Sequence, residues 1–137
     1  MDTNKHVTFI NMALTLAVQS TCARRDVGCI LVDRHHRIIG SGYNGVAKGL
    51  DHCKDKPCGG VGFKSGDGLG ICEAIHAEQN ALMQCRDIDS IVSAYITTAP
   101  CMHCTKMLMN TGCKAIYFAN NYAINGKSIW TGKWVKV

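Results

Sequence analysis

Two short motifs restrict the fold of this chain more than any other feature of its sequence. They are His76-Ala77-Glu78 and Pro100-Cys101-Met102-His103-Cys104. One imidazole and two thiolates hold Zn²⁺ with its fourth coordination position open, which is typical of a catalytic zinc and not of a structural one. Cys101 and Cys104 share one face at the start of a helix, whereas His76 and Glu78 converge only within a helix's first turn. The fold is therefore predicted to bring two helix N-termini to one metal ion.

Length and charge set the broad class of protein. With 137 residues the chain is long enough for one domain with a single core, and residues 1–137 are expected to form it. The net charge of +5 suits a small anionic ligand such as a nucleotide, but it is too weak to indicate nucleic-acid binding. No stretch approaches the ~20 apolar residues that cross a bilayer. We therefore expect neither a nucleic acid nor a membrane as partner.

The cysteine content indicates a reducing compartment. Nine cysteines is an odd number. The apolar run at 7–18 does not resemble a secretory signal, because Asn11 and Thr15 interrupt it and no small-residue cleavage site follows. An odd count without a signal argues against a disulfide framework and for reduced thiols. The expected location is the cytoplasm.

Hydrophobic periodicity predicts an opening hairpin and then alternating helices and strands. Residues 27–33 are apolar on both alternating faces, which predicts a central strand covered on both sides; a turn at 34–36 leads to its hairpin partner. The other predicted elements are helices at 3–20, 74–85 and 100–110, strands at 91–98 and 115–119, a loop insertion at about 46–72, and a short C-terminal tail at 120–137 with an edge strand from 130. The predicted class is α/β, a three-layer α/β/α domain.

The order of the two motifs, H-x-E before P-C-x-x-C, is the signature of zinc-dependent nucleobase deaminases. Two thiolates make the metal less acidic than three histidines would. A neighbouring base is therefore needed to activate water, and Glu78 is the candidate. His103 points elsewhere on its helix and is predicted to lie at the surface. Each motif alone is weak, but the two together favour a catalytic zinc on His76, Cys101 and Cys104.

Five segments carry a resemblance that extends beyond the zinc motifs. They are Cys22-Ala23-Arg24-Arg25-Asp26-Val27-Gly28, Gly42-Tyr43-Asn44-Gly45, His52-Cys53, His76-Ala77-Glu78-Gln79-Asn80-Ala81 and Pro100-Cys101-Met102-His103-Cys104-Thr105-Lys106. In this order, from about residue 20 to 119, the chain resembles the deoxycytidylate deaminases of the cytidine/deoxycytidylate zinc-deaminase family. The resemblance implies a cytidine-deaminase-like fold, with a mixed five-stranded sheet that starts with a β-hairpin. The implied reaction is hydrolysis of dCMP to dUMP and ammonia, which supplies the precursor of thymidylate.

The resemblance also implies roles for individual residues. Zn²⁺ on the three ligands activates water, and Glu78 carries protons to ring N3 and to the leaving amine. Asn44 holds the deoxyribose, and the backbone of Ala77 reads the pyrimidine edge. Arg24 or Arg25 is the candidate for the 5′-phosphate, since a phosphate needs a cation.

Regulation and assembly are implied in the same way. In many family members dCTP activates and dTTP inhibits, and the triphosphate binds with Mg²⁺ near the turn that corresponds to Gly42, Tyr43, Asn44 and Gly45. Members form homo-oligomers, often hexamers. The chain departs from the family after its fourth predicted strand, where the remaining segment is short.

A second group of cysteines has two interpretations. Three of its four members lie in or beside the glycine-rich loop, where a core would not need them; the four are Cys22, Cys53, Cys58 and Cys72. Some family members bind a second, structural zinc at similar places, which would pin a loop that burial cannot order. In that case His52 could replace one cysteine. The alternative is a set of free, partly exposed thiols. Cys29, Cys85 and Cys113 are predicted to pack as apolar side chains.

Two rival functions stay open at this point. The chain could be another deaminase, acting on free cytidine, guanine or tRNA adenosine, although a tRNA enzyme should have a more basic surface. It could instead be a zinc-stapled binding module without turnover. A binding module without turnover, however, would not need the Glu78 carboxylate as a base.

Overall fold

The computed structural model describes residues 3–20, 25–49 and 74–137 of the chain. The elements in these ranges are α1 (Thr3–Ala17), β1 (Gly28–Val32), β2 (Ile38–Tyr43), β3 (Gly45–Val46), β4 (Ala74–Ile75), α2 (Ala77–Gln84), β5 (Ser93–Thr98), α3 (Met102–Met109), β6 (Ala115–Asn120) and β7 (Lys133–Lys136). A short 3-10 turn, Ile88–Ser90, precedes β5. The predicted helices and strands are therefore present, with ends that differ by a few residues.

Five of the described strands form one mixed sheet in the order β2-β1-β5-β6-β7. The sheet begins with the predicted hairpin, because β1 pairs with β2 in antiparallel register. β1 also runs antiparallel to β5, whereas β5, β6 and β7 are parallel to one another. In the parallel half of such a sheet, successive helices begin at the carboxyl ends of strands, which is where sites form.

Two apolar clusters cover the two faces of the sheet. Every residue of β1 is buried, as the sequence predicts for a central strand. Cys29 and Leu31 pack toward α2 and α3, while Ile30 and Val32 pack toward α1. The helices thus form two outer layers around the sheet, which confirms the three-layer α/β/α prediction.

The C-terminal segment completes the sheet. β7 pairs with β6 and places Trp134 beside Ile116 in the register. The ring of Trp134 packs against Phe118, with centroids 5.4 Å apart. The edge strand predicted for residues 130–137 is therefore present as Lys133–Lys136.

A second, two-stranded ladder joins residues on either side of the predicted loop insertion. Gly45 pairs with Ile75 and Val46 with Ala74. The sequence predicted a helix from residue 74, which is wrong for Ala74 and Ile75: they form β4, and α2 begins at Ala77. Two residues are too few to carry a strand pattern. Residues 50–73, most of the predicted insertion at 46–72, lie outside the described residues. None of the helices in the described part of the chain is long and apolar enough to cross a membrane.

Candidate metal centre and active site

Three side chains from the two motifs meet at one point. Ligand atoms of His76, Cys101 and Cys104 all lie within 4.8 Å of one another. The nitrogen that faces the sulfurs is His76 Nδ1, which is 3.3 Å from Cys104 Sγ and 3.5 Å from Cys101 Sγ. One imidazole and two thiols at this separation fit Zn²⁺, and three protein ligands leave the fourth position for water or substrate.

Both helices that supply the ligands begin at the site. His76 is the N-cap of α2, and Cys101 is the N-cap of α3, where its sulfur accepts a hydrogen bond from the Cys104 amide at 3.5 Å. The backbone N–H of His76 donates to Gln79 Oε1 at 3.1 Å, which closes the first turn of α2. The convergence of two helix N-termini, predicted from motif spacing, is therefore observed. Their positive ends favour thiolates.

The protonation of the two sulfurs is uneven. The Cys104 thiol donates to the Cys101 sulfur, and this hydrogen bond, aided by His76 and the Cys104 amide, lowers the pKa of Cys101 to about 4. The same bond and burial raise the pKa of Cys104 above its ordinary value. Hydrogen bonding to Cys101 raises the pKa of His76. These opposite shifts favour a thiolate at Cys101 and a thiol at Cys104, and a divalent cation would displace the thiol proton because only thiolates are good ligands.

Glu78 lies in the first turn of α2 beside the three ligands. It is only 4% exposed, and burial raises the pKa of its carboxyl, which the neighbouring His76 opposes. Burial of a carboxyl group costs free energy, so packing alone does not account for a buried glutamate at this position. Its raised pKa suits a group that must take up and release a proton near neutral pH.

Arg25 brings a positive charge to the same region. The guanidinium Cζ lies 4.3 Å from the centre of the Tyr122 ring. Its charge is close enough to lower the pKa of His76, against the effect of Cys101. The backbone carbonyl of Arg25 accepts a hydrogen bond from Asn44 Nδ2 at 2.8 Å. Arg25 therefore has fixed positions for both its backbone and its guanidinium.

Asn44 is 5% exposed, and its side chain joins the residue after β2 to the residues before β1 through hydrogen bonds. Its Oδ1 accepts from the Val27 amide at 2.9 Å, and its Nδ2 donates to Arg25. One amide hydrogen of the side chain remains for a ligand. Ala77 is the first residue of α2, where a backbone N–H has no acceptor within the helix. Both features suit the predicted contacts with the sugar and the pyrimidine edge.

The Gly42-Tyr43-Asn44-Gly45 turn has packing roles that its sequence did not reveal. A Cβ at Gly42 would lie 2.6 Å from the Ala81 nitrogen and 2.7 Å from the Ala77 oxygen, so only glycine allows this approach of β2 to α2. The Tyr43 carbonyl accepts from Asn80 Nδ2 at 2.8 Å. Gly45 pairs with Ile75, next to the ligand His76. The turn thus supports the first turns of α2.

Several predicted residues fall outside the described part of the chain. They are Cys22, Arg24, His52, Cys53, Cys58 and Cys72. Of the remaining cysteines, Cys29 and Cys113 are buried and Cys85 is half-buried within the core that faces α2 and α3, as predicted. His103 is exposed. Tyr122 was missed by the sequence analysis, because no motif or periodicity connects it to Arg25.

The fold and the site define a class of zinc-ligating α/β proteins. The family model for the cytidine and deoxycytidylate deaminase zinc-binding region matches residues 3–120. The chain therefore belongs to the cytidine and deoxycytidylate deaminase family.

Curated relatives agree with this assignment. The chain is 32% identical over 122 residues to the deoxycytidylate deaminase of Saccharomyces cerevisiae, covering 88% of this chain and 39% of the yeast protein. It is 32% identical over 117 residues to the deoxycytidylate deaminase of Mycobacterium phage D29, covering 80% of this chain and 90% of the phage protein. It spans 58% of ComE operon protein 2 of Bacillus subtilis, with 35% identity over 83% of this chain. The chain thus spans about 40–60% of the length of several curated relatives.

Among solved structures, the dCMP deaminase of cyanophage S-TIM5 in its apo form superposes with a TM-score of 0.78. The match has 26% sequence identity and covers all of both chains. The mixed five-stranded sheet between helices is therefore the cytidine-deaminase-like fold expected from the resemblance.

Proposed function

We propose that this protein catalyses the hydrolytic deamination of dCMP to dUMP and ammonia. The observation that carries the proposal is the buried Glu78 carboxyl, in the same helical turn as His76 and beside Cys101 and Cys104. The names of the yeast and phage D29 relatives support the choice of dCMP as substrate. The product dUMP would be a precursor of thymidylate.

Glu78 carries the proton transfers of the proposed mechanism. His76, Cys101 and Cys104 would hold Zn²⁺, which would supply Lewis-acid activation of a water molecule. The Glu78 carboxylate accepts a proton from the attacking water and delivers it to ring N3 of cytosine. As the C4–N bond of the water adduct breaks, Glu78 takes the remaining water proton from the C4 oxygen and transfers it to the departing amine, so that C4 becomes a carbonyl and the amine leaves as ammonia. Its raised pKa supports this exchange, since the group must be both acid and base within one cycle.

The substrate contacts follow from the positions of three residues. Asn44 has one amide hydrogen left for the deoxyribose, and the Ala77 amide at the start of α2 is available to the pyrimidine edge. Arg25 offers a guanidinium close to the metal ligands, which supports it as the phosphate group's partner. Arg24 remains the neighbouring candidate from the sequence.

Turnover of four substrates, measured side by side on the zinc-loaded protein, tests the proposal. We expect dCMP to be deaminated with the highest kcat/KM, ahead of CMP, deoxycytidine and cytidine. A higher kcat/KM for a free nucleoside would assign the chain to another deaminase activity. Zinc binding without ammonia release from any of them would favour the binding module.

We also propose allosteric control by dCTP as activator and dTTP as inhibitor, with Mg²⁺, at Gly42, Tyr43, Asn44 and Gly45. This turn contacts α2 through Asn80 and adjoins His76 through Gly45 and Ile75. A nucleotide bound there would therefore act on the helix that supplies both a zinc ligand and Glu78. dCMP turnover measured with each triphosphate, with and without Mg²⁺, tests it; equal rates in all conditions would contradict it.

The remaining proposals concern composition and assembly. We propose a second, structural zinc on Cys22, Cys53, Cys58 and Cys72, a single catalytic domain over 1–137, a homo-hexamer, and a cytoplasmic location. Two zinc ions per chain would support the second site, and one would remove it. Light scattering of the purified protein tests the homo-hexamer, cell fractionation tests the location, and a single cooperative unfolding transition tests the single domain.

A further inference from the structure

The structure joins Arg25 to a residue that the proposed reaction does not use. Tyr122 lies in the segment after β6 and is 8% exposed, packed in the same apolar cluster as Ala99 and Cys101. The Arg25 guanidinium covers its ring at 4.3 Å from the centroid. This is a cation–π contact at the edge of the candidate active site.

Hydrogen bonds attach the backbone turn that carries Tyr122 to the segment that holds a candidate metal ligand. The Tyr122 carbonyl accepts from Asn125 Nδ2 at 2.8 Å, and Asn125 Oδ1 accepts from the Lys127 amide at 2.9 Å. The Gly126 amide between them donates to the Pro100 carbonyl at 3.1 Å, directly before the ligand Cys101. The turn that carries Tyr122 is therefore attached to the start of α3.

Stacking on a ring leaves the donors of a guanidinium available. The face of the group contacts the aromatic ring, while its N–H groups point outward in the plane and match the oxygens of a phosphate. The backbone of Arg25 is fixed independently, through the hydrogen bond from Asn44. The side chain would otherwise have several rotatable bonds, and ordering them on binding opposes affinity.

We propose that Tyr122 is a positioning residue, whose ring holds the Arg25 guanidinium for the substrate's 5′-phosphate and thereby sets the preference for nucleotide over nucleoside. The inference rests on the proposed dCMP deaminase function. Tyr122 itself acts through Arg25, so its removal should affect the phosphorylated ligand alone.

Two substitutions of Tyr122 separate its ring from its hydroxyl. Tyr122→Leu removes the aromatic face, and Tyr122→Phe keeps it. For Tyr122→Leu we expect KM for dCMP to rise about tenfold, the size of a partly desolvated cation–π contact, with little change in kcat. KM for deoxycytidine should stay as in the wild type. Tyr122→Phe should retain the wild-type values for both substrates.

A binding measurement makes the test independent of turnover. Calorimetry with dUMP and deoxyuridine gives the preference for the phosphorylated ligand as a ratio of Kd values. We expect the ratio to fall about tenfold in Tyr122→Leu and not in Tyr122→Phe. In an Arg25→Gln background, Tyr122→Leu should have no further effect on the ratio, because coupled residues are not additive. If the protein bound dUMP but failed to deaminate dCMP, the proposed function would fail while this ratio still tested Tyr122.

The outcomes that overturn the inference are specific. An unchanged ratio in Tyr122→Leu, an equal loss in Tyr122→Phe, or additive effects with Arg25→Gln would each exclude positioning by the ring. Because Tyr122 is buried, the Leu variant could fail to fold. Tyr122→Met then takes its place, because the flexible apolar methionine side chain fills a buried site but has no aromatic face for the guanidinium. A lowered dUMP preference in Tyr122→Met supports the inference, and a wild-type preference contradicts it.

Discussion

At the scale of single residues, the candidate site combines groups whose protonation states depend on one another. Hydrogen bonding between Cys101 and Cys104 shifts their pKa values in opposite directions, His76 contacts both sulfurs, and Glu78 is buried beside them. Such a cluster is unfavourable for folding unless a cation compensates it, since buried charges need partners. The chemistry of the site therefore predicts measurable effects on stability as well as on turnover.

Glu78→Gln should stabilise the zinc-free protein at alkaline pH. Burial raises the folded-state pKa of Glu78 above its unfolded value of about 4.3. With a raised pKa, the contribution to stability is fully present below the unfolded pKa and is lost as pH rises through the folded pKa. The variant should thus unfold at higher urea than the wild type at about pH 8, and the difference should shrink at about pH 4.

The control for this experiment is Asp89→Asn, which removes an exposed carboxylate. We expect it to lack the gain at alkaline pH. Equal urea midpoints of Glu78→Gln and the wild type at about pH 8 would show that the Glu78 carboxyl is not held in a desolvated position.

Single cysteines should differ sharply in their effect on zinc content. Cys104→Ser removes a ligand and should lose one zinc equivalent per chain relative to the wild type, measured by atomic absorption. The loss should lower the thermal midpoint by roughly 5–15 °C, because zinc at 100 times its Kd adds about 2.7 kcal/mol.

Cys113→Ser is the matched control for the zinc measurement. Cys113 is also buried, but its sulfur donates to the Ala115 carbonyl at 3.3 Å, which a serine hydroxyl can replace. It should retain the wild-type zinc content. If Cys104→Ser kept all its zinc, the three-ligand centre would be wrong.

At the scale of elements, the position of α2 depends on the Gly42-Tyr43-Asn44-Gly45 segment that packs against it. β2 approaches the backbone of α2 at Gly42, Asn80 holds the Tyr43 carbonyl, and Gly45 pairs beside His76. Displacement of this helix would move His76 and Glu78 together. Packing of the Gly42-Tyr43-Asn44-Gly45 segment and geometry of the metal centre are therefore linked.

Gly42→Ala tests that link. Its Cβ would lie 2.6 Å from the Ala81 nitrogen, so α2 must shift. We expect a loss of about 1–3 kcal/mol in unfolding free energy, as for overpacked sites, together with weaker zinc binding in a chelator competition.

Gly49→Ala provides the comparison for this variant. Gly49 has φ of +88° and no atom within 4 Å of an added Cβ. It should lose about 1–2 kcal/mol through backbone strain alone and keep its zinc affinity. Wild-type zinc affinity in Gly42→Ala would contradict the proposed link between packing at Gly42 and the geometry of the metal centre.

The elements also show what sequence can predict. The burial of both faces of β1 and the N-terminal positions of His76 and Cys101 follow from local periodicity and spacing, which depend on residues near one another in the chain. The β3–β4 ladder, the bridge from Asn44 to Arg25, and the contact of Arg25 with Tyr122 join distant segments. No local pattern encodes such pairs, so they required the fold.

At the scale of the whole molecule, the residues of the candidate site come together at one end of the sheet. β5 leads to α3 and its two thiols, the ladder beside β2 leads to α2, and the segment after β6 returns to the start of α3. Three separate parts of the chain thus meet where the parallel strands end, as in other α/β folds. Cytidine and deoxycytidylate deaminase family membership and this arrangement agree.

The release of ammonia from dCMP by the wild type and Glu78→Gln, both with zinc content measured, tests the central claim most directly. The account predicts that Glu78→Gln keeps the wild-type zinc content and cooperative unfolding, and that kcat falls at least about 10²- to 10⁴-fold, the range for loss of a general acid–base group. A zinc-loaded Glu78→Gln variant that deaminates dCMP at the wild-type rate would contradict it.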